Sequence, residues 1–456
     1  MVTMTGRPDR DRPTVLLRMA DAGDLYLSWR WTHDLDRPGA SRVPEEQLRV
    51  ALDALTAALP GGTSSTSDGS GARALGDAGP PGLAAALTSG AFAAYEAELA
   101  LAELLSRTFL PYGLAVVLHE LMVRGIRPHV RIQPSPRLAQ VPWELLAPDR
   151  DIRFVDIADV SVLAPASIVH APARPVRTWA GSRDLPVAAI LDPRVPGFRA
   201  DSVLGSVLGR MSADAPLTRR IAEHARRGRL RPVLPDSPQP GSARGVEAFR
   251  RTDLDREWLG ETLRAGASRL LYVGHVTASV PETGLSEDAR LHLACTADTL
   301  GFAPPIRGHR PLSAKDLLLG THTLTEVPQS GAERWPIPSR VALIACESGG
   351  DLRFGEALGL ATAMIHGGAE LVTATRWTLP TDLAFQRLAG VDPAVRPLQD
   401  AILAIDSAHE SDDPVRAVAR WQRERLAAWR ELRGVEHSPL LWGAFTTIDT
   451  AGSVPG

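Results

Sequence analysis

The chain has 456 residues, 44% hydrophobic and 23% charged, with 50 basic against 53 acidic residues and a formal net charge of −3. That composition predicts two or three modules around a real core and excludes a global field attracting nucleic acid or an anionic membrane. Two cysteines, Cys295 and Cys346, exclude a disulfide framework and a four-thiolate zinc site, and no apolar run approaches the roughly 18 residues of a membrane span.

In chain order, TVLLRM and DLYLSWRWT are β-forming runs joined by ADAG and predict a hairpin. After DRPGASRVP, the run EEQLRVALDALTAAL carries Leu48, Leu52, Leu55 and Leu59 at helical spacing. Residues 60–82 are rich in Gly, Ser and Pro and read as a flexible linker. A long Ala/Leu helix is expected from Leu83 to Phe109. Beyond residue 114, strands and helices alternate. RPHVRIQP, FVDIADVSVL, PVAAILDP, RLLYVGHV, ARLHLAC, RVALIAC and AELVTATRW are strand-like, and DLDREWLGETLRAGA, SAKDLLLG and GEALGLATAMIHGG are helical. This predicts an α/β fold with a mostly parallel sheet flanked by helices, a class that binds ligands beyond the carboxyl ends of its strands. A charged helix, PVRAVARWQRERLAAWRELRG, and an apolar segment, HSPLLWGAFTTID, close the sequence. Nine arginines fall between Thr218 and Arg251, with Phe249 as the one aromatic residue among them. They read as a solvated helix and loop rather than a nucleic-acid patch.

Two strands end on reactive side chains. LLYVGH ends on His275 and RVALIAC on Cys346, 71 residues apart. In a parallel sheet both carboxyl ends share one edge, so neighbouring strands would place imidazole and thiol side by side, as nucleophilic catalysis requires. Gly349 and Gly350 permit a sharp turn after the thiol, with backbone N–H groups to hold an oxyanion. His292 and Cys295 form an H-x-x-C pattern but face opposite sides of a strand, a poor geometry for zinc. His366 precedes a glycine cap at a helix end. Glu347, Asp351 and Asp382 lie near the expected edge. No metal or cofactor is expected. There is no G-x-S-x-G elbow and no phosphate-binding loop.

From about Leu114 to Asp449 the chain resembles the CHAT family, caspase-like cysteine peptidases that also resemble separase. VPWELLAP is similar to the family's Pro-Trp-Glu-Leu-Leu signature. LLYVGH and VALIACESGG are similar to the strands carrying the catalytic histidine and cysteine. GEALGLATAMIHGGAELVTATRWTLPTD is similar to the following helix, strand and Trp-x-x-x-x-Asp turn, with Trp377 and Asp382 in place, and PLLWGAF to the Trp-Ala-x-Phe ending. The resemblance implies a His275/Cys346 dyad with oxyanion and turn groups at Gly274, Val276 and Gly349. Val276 stands where family members usually carry glycine. Asp382, with Glu347, would line a substrate pocket.

The implied organisation is a small α+β amino-terminal module over 1–110, a catalytically silent caspase-like half over 111–215, and a catalytic half over 216–456. The expected function is a regulated cytoplasmic bacterial cysteine endopeptidase that cuts a partner protein and answers to an activating protein. Neither nucleic acid nor membrane is expected as a partner. The alternative is a catalytically impaired scaffold that binds peptides in a caspase-like groove.

Overall fold

The computed structural model describes residues 12–61, 82–234 and 245–450. Most of the expected linker and part of the loop after Pro232 lie outside them. The described strands are β1 (Thr14–Ala22), β2 (Asp24–Trp31), β3 (Asp34–Val43), β4 (His129–Gln133), β5 (Asp159–Leu163), β6 (Val187–Leu191), β7 (Leu230–Arg231), β8 (Arg269–Val273), β9 (Val276–Thr277), β10 (Arg290–Leu291), β11 (Leu312–Ser313), β12 (Arg340–Ile344), β13 (Leu371–Thr375) and β14 (Phe445–Asp449). Eleven form one sheet in the order β3-β2-β1-β4-β5-β14-β13-β12-β8-β6-β7, and β9, β10 and β11 form a small second sheet.

All pairings in the large sheet are parallel except β1–β2, β2–β3 and β13–β14. The antiparallel β13–β14 seam reverses strand direction. The carboxyl ends of β4 and β5 therefore lie on the edge opposite those of β6, β8, β12 and β13. The amino-terminal hairpin is no separate layer, because β1 pairs with β4. Likewise β6 falls before residue 216 yet pairs with β8, among the carboxyl-terminal strands.

Period-two alternation splits the core between the faces. On β8 and β12, Leu271, Val273, Ala342 and Ile344 pack one side. Leu270, Tyr272, Val341 and Leu343 pack the other. The first core also takes the helices Glu45–Ala58 and Tyr95–Phe109, joining the amino-terminal residues to the rest.

Four elements differ from the sequence expectation; in FVDIADVSVL only Asp159–Leu163 is strand, Phe154–Ile157 being a short helix. DRPGASRVP belongs to an edge strand, β3, whose pairing with β2 overrides its proline and charges. The Ala/Leu helix breaks at Ser89 and Gly90 into Leu83–Thr88 and Tyr95–Phe109, separated by a 3-10 turn. ARLHLAC contributes only Arg290–Leu291 to pairing, and that in the small sheet. Among the described residues no single helix is long and apolar enough to cross a membrane.

Candidate active site

The edge that matters is built by the ladder itself. Arg340 through Ile344 of β12 pair with Arg269 through Val273 of β8, residue for residue. The Gly274 N–H extends the ladder to the Ile344 carbonyl at 3.3 Å. His275 and Cys346 each come two residues after the last paired positions, Val273 and Ile344. Cys346 packs against the same core as Val273 and Ile344, and alternation carried past Val273 would put His275 on that face too.

Burial pushes the Cys346 thiol up to about 11, aided by the nearby Glu347 charge, while the Leu379 N–H directed at the sulfur opposes the shift. Burial also lowers His275, with the carbonyl of Gly205 and the charge of Asp192 opposing that shift. Thiol and imidazole are therefore both neutral at rest. The imidazole does not bond the thiol here; its Nε2 bonds the Gly205 carbonyl at 3.0 Å. A carbonyl only accepts, so Nε2 carries the hydrogen and Nδ1 is the atom left to exchange a proton with sulfur.

The backbone around His275 is pinned. Tyr272 donates its hydroxyl to the carbonyls of His275 (2.7 Å) and His292 (2.9 Å). Gly274 is required beneath it, because a Cβ there would lie 2.7 Å from the Tyr272 hydroxyl. His292 donates its N–H to the His275 carbonyl at 3.1 Å. The 275/292 pair is thus hydrogen-bonded, and the next pair, Val276/Leu291, turns its amides outward. The Cys346 N–H makes no backbone hydrogen bond among the described residues and faces its own sulfur. The Gly349 N–H, expected as an oxyanion or turn group, is taken up by the Thr375 carbonyl at 3.0 Å. Its part is the turn, and it is not free to meet an oxyanion. The ladder bond to Ile344 occupies the Gly274 N–H in the same way.

Both expected pocket carboxylates already have partners, Glu347 half-buried and Asp382 buried. Glu347 adopts φ of 50° and pairs with Arg353 at 3.2 Å. Asp382 is buried, and its Oδ1 accepts the Leu398 N–H at 2.8 Å, capping the helix Pro397–Ala408. Burial raises its carboxyl to about 6. Asp351 likewise turns inward, accepting the Thr362 N–H at 3.0 Å.

Sequence reasoning missed four contributors: Asp192, Gly205, Arg250 and Tyr272. PVAAILDP carried a signal for the first, since Asp192 ends a strand on the same edge. Gly205 acts through its carbonyl, which no residue type announces. Beside Arg250 a cleft of about 600 Å³ is lined in part by Arg210, Met211, Val246 and Phe249.

The remaining candidates resolve into structure. His292 Nδ1 meets His309 Nε2 at 3.1 Å, and His309 Nδ1 donates to the Cys295 carbonyl at 2.8 Å. Cys295 itself is buried, which raises its thiol. Among the described residues no cluster of three or more His, Cys, Asp or Glu is arranged to hold a metal. His366 closes the helix Leu360–His366. In the arginine-rich stretch, Arg220, Arg226, Arg227, Arg250 and Arg251 each meet a carboxylate.

The family model of the CHAT domain matches residues 100–449. The chain belongs to the CHAT family. No curated protein sequence matches it. Several CHAT motif residues other than His275 and Cys346 are architectural. Glu144 of Pro-Trp-Glu-Leu-Leu bonds Arg376 at 2.9 Å, and Arg376 in turn donates to the carbonyls of Gly443 (2.9 Å) and Phe445 (3.2 Å). Trp377 donates its indole N–H to the Leu440 carbonyl at 2.9 Å. Three distant CHAT motifs thus meet in one buried cluster.

Proposed function

We propose that the chain is a cysteine endopeptidase acting on a partner protein through Cys346 and His275. One observation supports this reading: His275 and Cys346 each come two residues after the paired ends, Val273 and Ile344, of adjacent parallel strands. Membership of a caspase-like peptidase family supports it.

In the proposed cycle, Cys346 Sγ attacks the scissile carbonyl carbon as its proton passes to His275 Nδ1. The oxyanion meets the N–H groups of Cys346 and Val276. Protonated His275 then gives its proton to the leaving amine, the C–N bond breaks, and an acyl-enzyme remains. A water, deprotonated by His275, releases the acid and restores the thiol. The raised thiol pKa suits transfer of the proton during attack, since no thiolate stands preformed. Activation by a protein partner, docked through residues 1–110, belongs to the same proposal.

A peptide carrying an acyloxymethyl ketone tests it. Adduct formation should map to Cys346, vanish in Cys346→Ala, and slow about 100-fold in His275→Ala. Equal, slow labelling of Cys295 and Cys346, unaffected by His275→Ala, would instead identify a peptide-binding scaffold. That alternative draws on the absence of an imidazole–thiol bond at rest.

A further inference from the structure

We propose that Asp192 and Arg250 are positioning residues that set the tautomer and proton affinity of His275 through the Gly205 carbonyl. The inference rests on the reading of His275 as the proton carrier.

Asp192 follows β6, and its N–H donates to the Val273 carbonyl at 2.6 Å, one step past the Leu191/Val273 pair and level with Gly274, the residue before His275. Its side chain is 1% exposed. Four donors converge on this one carboxylate. Oδ1 accepts from the Val207 N–H at 3.1 Å and Arg250 Nη1 at 3.3 Å. Oδ2 accepts from the Ser206 hydroxyl and from the Leu208 N–H at 3.4 Å. The loop after Ala200 is thus folded around Asp192, and Gly205 sits at its tip. Gly205 has no room for a side chain, since a Cβ would lie 2.2 Å from the Ala200 carbonyl.

Arg250 closes the arrangement from the other side. Its N–H bonds the Leu191 carbonyl at 3.2 Å, and its Nη1 bonds the Gly205 carbonyl at 3.1 Å. The two lone pairs of one oxygen therefore serve His275 and Arg250 together. A guanidinium on that oxygen draws electron density from it and weakens it as a partner for an imidazolium, while the carboxylate behind the loop favours the imidazolium. The two groups act on His275 in opposite senses, which matches the charge effects at that ring. Both residues hold φ values rare outside glycine, 50° at Asp192 and 56° at Arg250. Backbone of this kind persists where surrounding contacts over-determine it.

The charged and titratable groups that act on His275 are Asp192 from the end of β6, Arg250 from the segment before the helix Arg256–Arg264 and His292 beyond β10. Nuclear magnetic resonance of the full chain with 15N-labelled histidine reads the ring directly, with His275→Gln assigning its signals. The wild type should show the Nε2–H tautomer. Asp192→Asn should lower the His275 pKa and Arg250→Gln should raise it, each by about half a unit or more, and Arg250→Lys should restore most of the wild-type value. Opposite shifts are not what general loosening of the loop produces. Unchanged titration in both variants, or shifts of the same sign, would overturn the inference. Should Asp192→Asn fail to fold, Arg250→Gln, on a side chain 23% exposed, decides alone. These readings need no catalysis. Failure of the peptidase proposal appears separately, as Cys346 labelling indifferent to His275.

Discussion

At the scale of single residues, the proposed partners His275 and Cys346 both rest neutral. A thiol held near 11 is mostly protonated at pH 7, so alkylation of Cys346 by iodoacetamide without substrate should climb about tenfold per pH unit between 7 and 10. A plateau already reached at pH 6 would show a preformed thiolate and refute the neutral pair. Asp382 gives a second test through stability. Its folded value, raised to about 6 by burial, lies well above the ordinary aspartate value of about 3.9. As pH rises from 4 to 6 the unfolded chain loses this proton first, so the folded state is progressively disfavoured and the loss is complete above the folded pKa. Asp382→Asn keeps an acceptor for the Leu398 N–H without the charge. It should therefore gain about 1–3 kcal/mol over wild type at pH 7 and little at pH 4. Urea unfolding at both values checks this, and a difference independent of pH would contradict it.

Among elements, the buried cluster at Glu144 and Arg376 ties three distant segments together. Glu144→Ala leaves the Arg376 guanidinium, 2% exposed, facing carbonyls alone. The expected loss is about 3–5 kcal/mol, and adding Arg376→Met should recover much of it. Equilibrium unfolding of the single and double variants decides this, since equal stabilities would remove the cluster's importance. The same scale shows what the sequence could disclose. His275 and Cys346 were legible because each ends an apolar five-residue strand, and apolar runs of that length report their own ends. β3 was not legible, for an exposed edge carrying Asp34, Asp36, Arg37 and Pro38 shows no alternation, and only its partner makes it a strand. Asp192 was half legible, being a strand end like the other two. Gly205 was silent, because its chemistry lies in a carbonyl that every residue has. Glu347 and Asp382 have the charge a basic substrate side chain needs, but only packing shows that Arg353 and the Leu398 amide already engage them.

For the whole molecule, the decisive element is β14, which pairs with β13 on one side and β5 on the other. Sheet order could not be read from the chain, because which strands adjoin is settled by faces that meet only after folding. With β14 as the shared strand and one core running from the amino-terminal helices to the edge carrying Cys346, the described residues should melt together. Calorimetry should show one cooperative transition, which deletion of 439–456 abolishes. Two separable transitions in the intact chain would argue for independent halves. The position of β14 also bears on synthesis. β5 is translated some 280 residues before its neighbour on that side, and β13 some 70 before. Throughout that interval both strands present open edges able to pair with other nascent chains. The protein is therefore most prone to aggregate while it is being made. Slow elongation should lengthen that exposure, whereas a chaperone covering the β5 and β13 edges should shorten it.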